Sequence, residues 1–404
     1  MSLTITPLLA PNEKHVLTKN EAMIACGQYF GMCYLKDNFE KIKNEPEEKS
    51  VTRAQMCIGS GHHSGFEHVK YTFEILDISK TLAMILNNQG VYATSEKSGR
   101  YTVLDFEDAT ENALREKWQQ IFEKIISEKY YEMFYKFYAK PGVAEDKVKK
   151  SIEVAIRKKA QENSRLITSP FAKTKMIYTI NFRQLSYLRY EMKEFINDAP
   201  NTPFYSAIKN EMQEFLNCTE MYGAEDEGLN PGSKGVKLPF FETVEERKEE
   251  FGENYSINYY ASYATFAQLQ RHRTCHYTIK VPDEKQYFVP EFIKDNEELV
   301  SEWLEDCKKV TAENSFPQAT LLFVNERGRY EDFVLKGFER LCGAAQYEVT
   351  MIMKEQLNKY LENVTSENAR KALTKISKGA RCVCGFKCTS PCLFGAKYAL
   401  DRKF

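Results

Sequence analysis

Apolar residues recur at helical spacing from Lys19 to Leu35, and this predicts an amphipathic helix, with a shorter one at Thr52 to Gly59. Val69-Lys70-Tyr71-Thr72-Phe73-Glu74-Ile75 alternates apolar and polar positions strictly, the pattern of a half-buried strand. Helical spacing returns at Ile78 to Leu86, Glu111 to Phe137 and Glu145 to Glu162, the last two separated by the breaker Pro141-Gly142. Further helices are expected at Ile180 to Phe195, Pro203 to Leu216, Asn296 to Thr311 and Tyr330 to Leu361. Gly223 to Glu253 changes texture: it carries Asp, Glu, Gly, Lys and Pro, ends in a charge run and reads as a solvated linker.

The chain has 404 residues, room for one large domain or two ordinary ones, and 43% hydrophobic residues can fill a core. A net charge of −1 gives no reason to expect nucleic acid or an anionic membrane as a partner. No run approaches the roughly 18 apolar residues of a spanning helix, and Met1-Ser2-Leu3-Thr4 does not open a signal peptide. Eleven cysteines in such a chain read as thiols or metal ligands, not disulfides. The expectation is a cytoplasmic globular enzyme.

Several stretches carry chemistry. Gln268-Leu269-Gln270-Arg271-His272-Arg273 holds three neighbouring basic positions that cannot share one helix face, so they fan out where a helix ends. Arg offers a planar fork for phosphate, and His titrates near neutrality. Gly59 to His68 is a loop with His62, His63 and His68; it lacks the remaining ligands of a metal cage and reads as a polar loop capping a strand. Ser98-Gly99-Arg100-Tyr101 is either an anion cradle or a plain turn, because a nucleophilic serine would need a base that is not adjacent. Near the end, Cys382, Cys384, Cys388 and Cys392 form a plausible thiolate cage for Zn²⁺, with an iron–sulfur cluster or four free thiols as the alternatives.

Gly61-His62-His63-Ser64-Gly65-Phe66-Glu67-His68 and Ser98-Gly99-Arg100-Tyr101 resemble the flavin-dependent thymidylate synthases, whose signature is Arg-His-Arg, seven residues, then Ser. Counted back from Ser98, the triplet falls on Asn88-Gln89-Gly90; it stands instead at Arg271-His272-Arg273, where Val281 replaces the Ser. The resemblance implies an α+β fold made of two diverged copies of that domain, each an antiparallel sheet with long helices. The boundaries expected are 1–220 for the first copy, 221–365 for a partial second copy, and 366–404 for a Cys-rich tail. The family's Thr-x-Asn-x-Arg matches Thr179 to Arg183, and its nucleotide-binding Arg matches Arg165. The arginine that ionises the uracil ring is Met192 in the first copy and Arg340 in the second, ahead of Ala345-Gln346-Tyr347-Glu348. The family's nucleotide-contacting Gln matches Gln268, where the first copy has Ile85.

These losses are complementary. In the family two subunits build each nucleotide site, one giving Gln, Arg-His-Arg and the ionising Arg, the other Glu, Ser-Gly-Arg and the remaining Arg. Here the second copy keeps Gln268, Arg271 and Arg340, and the first keeps Glu96, Ser98, Gly99, Arg100 and Arg165. The resemblance therefore implies methylation of dUMP to dTMP at a composite site, with Arg340 catalytic. It further implies FAD held by His62, Ser64, Glu67, Asn181, Arg183, Arg271, His272 and Arg273, with NADPH and methylenetetrahydrofolate as co-substrates. A homodimer, equivalent to a tetramer of domains, is expected, with one competent site per chain. Another pyrimidine nucleotide as substrate, or a non-catalytic nucleotide-binding role, are the alternatives.

Overall fold

The computed structural model describes residues 2–9, 14–89, 91–100, 102, 108–230, 247–311 and 316–377. In chain order the elements are β1 (Thr4–Leu8), α1 (Lys19–Tyr34), α2 (Phe39–Ile42), α3 (Glu47–Gly59), β2 (Lys70–Ser79), α4 (Lys80–Leu86) and β3 (Tyr92–Glu96). Then come α5 (Ala109–Tyr138), α6 (Glu145–Ser164), β4 (Lys173–Asn181), α7 (Phe182–Asp198) and α8 (Pro203–Cys218). The remainder is β5 (Glu250–Phe251), β6 (Asn254–Ser262), α9 (Tyr263–Leu269), β7 (His276–Lys280), α10 (Glu297–Lys308), β8 (Leu321–Arg329), α11 (Tyr330–Arg340), α12 (Tyr347–Asn363) and α13 (Glu367–Ile376). The architecture is mixed α/β with antiparallel sheets. No helix among the described residues is long and apolar enough to cross a membrane. Two compact units result, the first Met1–Lys97 with Lys173–Pro239, the second Ser98–Ala172 with Phe240–Phe404.

The first unit holds an antiparallel sheet of order β1-β2-β4-β3. Alternate residues Tyr71, Phe73 and Ile75 of β2, and Met176, Tyr178 and Ile180 of β4, are buried. The strand expected to stop at Ile75 continues to Ser79 through an irregularity between Ile75 and Ile78, where Asp77 takes a φ of 56°. An extra residue in one strand shifts the side-chain alternation, which is why the period-two signal ends there. The helix expected from Ile78 consequently starts at Lys80, capped by Ser79, whose side chain accepts from Leu82 N. The helix expected from Ile180 starts at Phe182 for a related reason: Ile180 and Asn181 finish β4.

The beginning of the stretch read as a linker is packed, not solvated. Glu225 is buried and accepts from Arg189 Nε at 2.8 Å, while Arg189 Nη1 donates to Leu216 O and Thr219 Oγ1, each at 2.6 Å. A buried guanidinium is tolerable only with such partners.

The second unit carries an antiparallel sheet of order β5-β6-β8-β7, the order of the first sheet repeated. As α4 joins β2 to β3, so α9 joins β6 to β7, and both β4 and β8 run directly into helices. Helices α5 and α6 belong to this unit. Trp118 of α5 meets Trp303 of α10 edge to face at 4.9 Å, and Trp118 Nε1 donates to Asp306 Oδ2 at 3.0 Å. Backbone bonds Gln318 N to Thr168 O (2.8 Å) and Ala319 N to Leu166 O (2.7 Å) tie the end of the 98–172 segment to the residues before β8. The compact units thus divide the chain differently from a single boundary near residue 220.

Beneath the second sheet lies a wholly buried ion pair. Lys336 Nζ of α11 sits 2.6 and 2.5 Å from the two carboxylate oxygens of Glu326 on β8, and Tyr255 and Tyr259 each donate to that carboxylate at 2.8 Å. Burial works against ionisation of Glu326, but Lys336 and the tyrosine hydroxyls outweigh it and hold the carboxyl below its ordinary range.

The single helix expected over Tyr330 to Leu361 is two. α11 stops at Arg340 and α12 starts at Tyr347, with a turn containing Gly343 between them. The beginning of the segment expected as a Cys-rich tail, 366–404, is helical: α13, whose Leu373 and Ile376 are fully buried. Cys382, Cys384, Cys388 and Cys392 lie outside the described residues. Among the described residues no cluster suited to a metal ion occurs.

Candidate active site

The break between α11 and α12 is the centre of the site in the second unit. Arg100 Nη1 donates to Ala344 O at 2.9 Å and lies 3.6 Å from Glu162 Oε1. Arg165, just after α6, donates from Nη2 to Gln346 Oε1 at 2.7 Å, and Gln346 N donates to Gln268 Oε1 at 3.0 Å. One buried glutamine therefore joins Arg165, from the first half of the sequence, to Gln268, from the second. The Ser98-Gly99-Arg100 turn is fastened by Thr102 Oγ1 donating to Ser98 O at 2.8 Å. Arg340 ends α11 with Nη1 3.6 Å from Glu339 Oε2.

The site sets the guanidinium groups of Arg100, Arg165 and Arg340 among the carboxyls of Glu162, Glu339 and Glu348. Burial opposes ionisation of Glu162, yet Lys159, Arg100 and Arg165 together keep its carboxyl below the ordinary value. Glu348 is buried on α12, and there desolvation wins, raising its pKa although Ser262 N (2.7 Å), Ser262 Oγ (2.6 Å) and Thr265 Oγ1 (2.7 Å) all donate to it. These bonds hold the N-terminus of α9 and so set where that helix delivers Gln268 to His272.

At the other end of α9, Leu269 is the last helical residue, and the three basic side chains do diverge. His272 is buried with Nδ1 3.2 Å from Glu339 Oε2, Arg271 is half-buried and Arg273 is exposed. Burial lowers the His272 pKa more than Glu339 raises it, which favours the neutral ring. His272 Nε2, Arg340 Nε and both amide atoms of Gln270 are buried without a hydrogen-bond partner. Unsatisfied buried groups are uncommon and costly, and these lie at the ends of α9 and α11, which meet through the His272–Glu339 contact; a ligand with polar edges fits there.

The other expected residues gather in the first unit. His62 Nδ1 bonds Tyr34 OH at 2.8 Å, and Arg183 Nη1 lies 2.5 Å from Glu67 Oε1 with its Nε donating to Tyr187 OH at 3.2 Å. Asn181 Oδ1 caps α7 by accepting from Gln184 N at 2.7 Å. Ser64 opens the short 3-10 turn Ser64–Glu67. Gly65 is required in that turn, since a Cβ there would stand 2.5 Å from the Phe30 ring. Glu96 also lies in the first unit, where it accepts from Lys80 and from Asn87 Nδ2 (2.9 Å). Gln346 and Glu162 were not singled out from the sequence as site residues. Gly343, inside an otherwise helical run, was the available sign of the turn that presents Gln346.

Fold and site give a mixed α/β protein whose second unit gathers Arg100, Arg165 and Arg340 around the turn between α11 and α12. Residues 16–192 match the family model described as Thymidylate synthase complementing protein. Over that segment the chain is similar to enzymes described as flavin-dependent thymidylate synthases. The enzyme of that name from Pyrococcus furiosus is 29% identical over 162 residues, covering 37% of this chain and 56% of the relative; that from Clostridium tetani is 28% identical over 162 residues, covering 38% and 63%. The chain spans less than two thirds of the length of these curated relatives. A crystal structure of thymidylate synthase X from Helicobacter pylori with FAD and dUMP is 18% identical, with a TM-score of 0.30, covering 58% of this chain and 100% of that one.

Proposed function

We propose that the chain is a flavin-dependent thymidylate synthase, made of two diverged copies of one domain, that methylates dUMP at a composite site in its second unit. The observation that carries this reading is the Arg165–Gln346–Gln268 chain of hydrogen bonds. It joins residues that the family resemblance assigns to opposite subunits. The repeated strand order supports the duplication.

A nucleoside monophosphate is nearly a dianion, and the Arg100 and Arg165 forks suit its phosphate through charge-assisted bonds. Gln268 orients the nucleotide from the other copy. Arg340, with an unsatisfied Nε, is suited to the uracil ring, where its charge stabilises the anion that makes the fifth carbon nucleophilic. The unpartnered Gln270 amide and His272 Nε2, with Arg271 and Arg273 alongside, fit the polar edge of a flavin. His62, Ser64, Glu67, Asn181 and Arg183 are the first copy's flavin-binding residues on this reading. FAD, when bound, supplies a hydride; NADPH is the reductant and methylenetetrahydrofolate the carbon donor. The chain acts as a homodimer.

The purified protein should show flavin absorption or acquire it on titration with FAD. Protein that is folded by circular dichroism yet takes up no FAD would overturn the assignment. For the tail, we propose one Zn²⁺ held by Cys382, Cys384, Cys388 and Cys392, as four thiolates suit a closed tetrahedral site. Elemental analysis should find about one zinc per chain, lost when the chain is cut after Ile376; unchanged metal content in the shortened protein would refute it.

A further inference from the structure

The two nitrogens of the His272 ring are treated unequally. Nδ1 lies 3.2 Å from Glu339 Oε2, whereas Nε2 is buried and has no hydrogen-bond partner among the described residues. A carboxylate oxygen only accepts, so Nδ1 carries the hydrogen and Nε2 of the neutral ring is left as a bare acceptor. Burial favours that neutral form, because it lowers the ring's pKa by more than Glu339 raises it. An acceptor sealed from water without a donor is costly.

The first unit shows that the fold does not need this acceptor. Helices α4 and α9 correspond: each has seven residues and is capped by a serine, Ser79 or Ser262. At equal distances past their last residues, Leu86 and Leu269, stand Gln89 and His272. Gln89 is also buried, but its Nε2 donates to Ile85 O at 2.9 Å and closes onto its own helix. In the second unit the ring bonds α11 instead, the helix that ends in Arg340. The other unpartnered atoms at these helix ends are Arg340 Nε, a donor, and the two amide atoms of Gln270, a donor and an acceptor. Gln270 and His272 are 2% and 4% exposed. A ring N–H flanked by two carbonyls, the edge of a cyclic imide, calls for one acceptor and two donors. His272 Nε2, Arg340 Nε and Gln270 Nε2 are of those kinds.

We infer that Glu339 is a positioning residue, which holds His272 in its Nδ1–H tautomer so that Nε2 accepts the N–H of a cyclic imide. Uracil and the flavin ring both carry that edge, so the ligand's identity rests on the proposed function, while the role of Glu339 does not. The opposite tautomer would set one N–H against another and satisfy neither. The Glu339 side chain is 32% exposed, so replacing it opens no cavity in the core.

Heteronuclear NMR of the full chain carrying isotopically labelled histidine tests this, with the His272 signals assigned by their loss in His272→Gln. The expected spectrum shows a protonated Nδ1 and a bare Nε2. That tautomer should persist in Glu339→Gln, whose amide oxygen still accepts, and should no longer dominate in Glu339→Leu. FAD and dUMP are then added separately. The ligand whose imide is held should move the Nε2 signal, and its affinity should fall about tenfold in Glu339→Leu but little in Glu339→Gln. A protonated Nε2 in the unaltered chain, or an unchanged tautomer in Glu339→Leu, would overturn the role of Glu339. Binding of both ligands with the Nε2 signal unmoved would overturn the imide assignment. A chain that binds neither ligand would overturn that assignment together with the proposed function, and the tautomer signals would still decide the role of Glu339.

Discussion

Replacing Arg340 with Ala should lower kcat by about 10²–10³-fold, the usual cost of removing one donor aimed at charge that develops in the reaction. Its effect on nucleotide affinity should be smaller. Arg100→Ala should act the other way, weakening binding by roughly one to two decades through loss of a charge-assisted contact worth about 1.5–3 kcal/mol. The two variants come from opposite halves of the sequence, yet both residues border the 341–346 turn, Arg100 through its bond to Ala344 O and Arg340 as the end of α11. Steady-state kinetics separate the two roles. A purely KM effect from Arg340→Ala, with kcat unchanged, would contradict its place beside the reacting ring.

The largest stability effect is expected at Lys336. Its charge is fully buried against Glu326, so Lys336→Ala strands a carboxylate under the sheet with only tyrosine and glutamine donors left. Breaking such a pair typically costs about 3–5 kcal/mol. Replacing both partners together, as Lys336→Met with Glu326→Leu, should recover much of that loss, because well-packed apolar groups need no counter-charge. Urea denaturation of the two proteins decides the matter. A double variant as unstable as Lys336→Ala would show that the pair stabilises by more than mutual compensation.

The helices were largely legible because their apolar spacing is long and regular: α1, α5, α6 and α8 begin and end within a few residues of the expected bounds. The strands were not, apart from part of β2. β4 and β8 each pass into a helix without an intervening turn residue, so a short period-two run is overtaken by a longer helical one. β6 buries tyrosines at 255 and 259, whose polar ends hide the alternation until the Glu326 carboxylate that receives them is seen. The family resemblance proposed Arg100, Arg165, Gln268 and Arg340 together, and the structure brings Arg165 and Gln268 to Gln346. What residue identities do not contain is the packing of α5 and α6 with the second sheet, which depends on Trp118 meeting Trp303 nearly two hundred residues away. For the same reason Gln346 passed unnoticed, since its role exists only once Arg165 and Gln268 approach it from separate elements.

That the active centre is assembled within one chain is tested most directly by complementation. Arg100→Ala and Arg340→Ala proteins are mixed under conditions in which subunit exchange is verified by labelled chains, and turnover is measured at a dUMP concentration low enough that neither variant alone turns over appreciably. On the proposed reading both residues belong to the same site of the same chain, so the mixture should remain as inactive as its components at every ratio. Recovery of activity towards roughly a quarter of the unaltered enzyme in an equal mixture, as expected when half the dimers are mixed and each has one intact site of two, would show that the site is shared between chains.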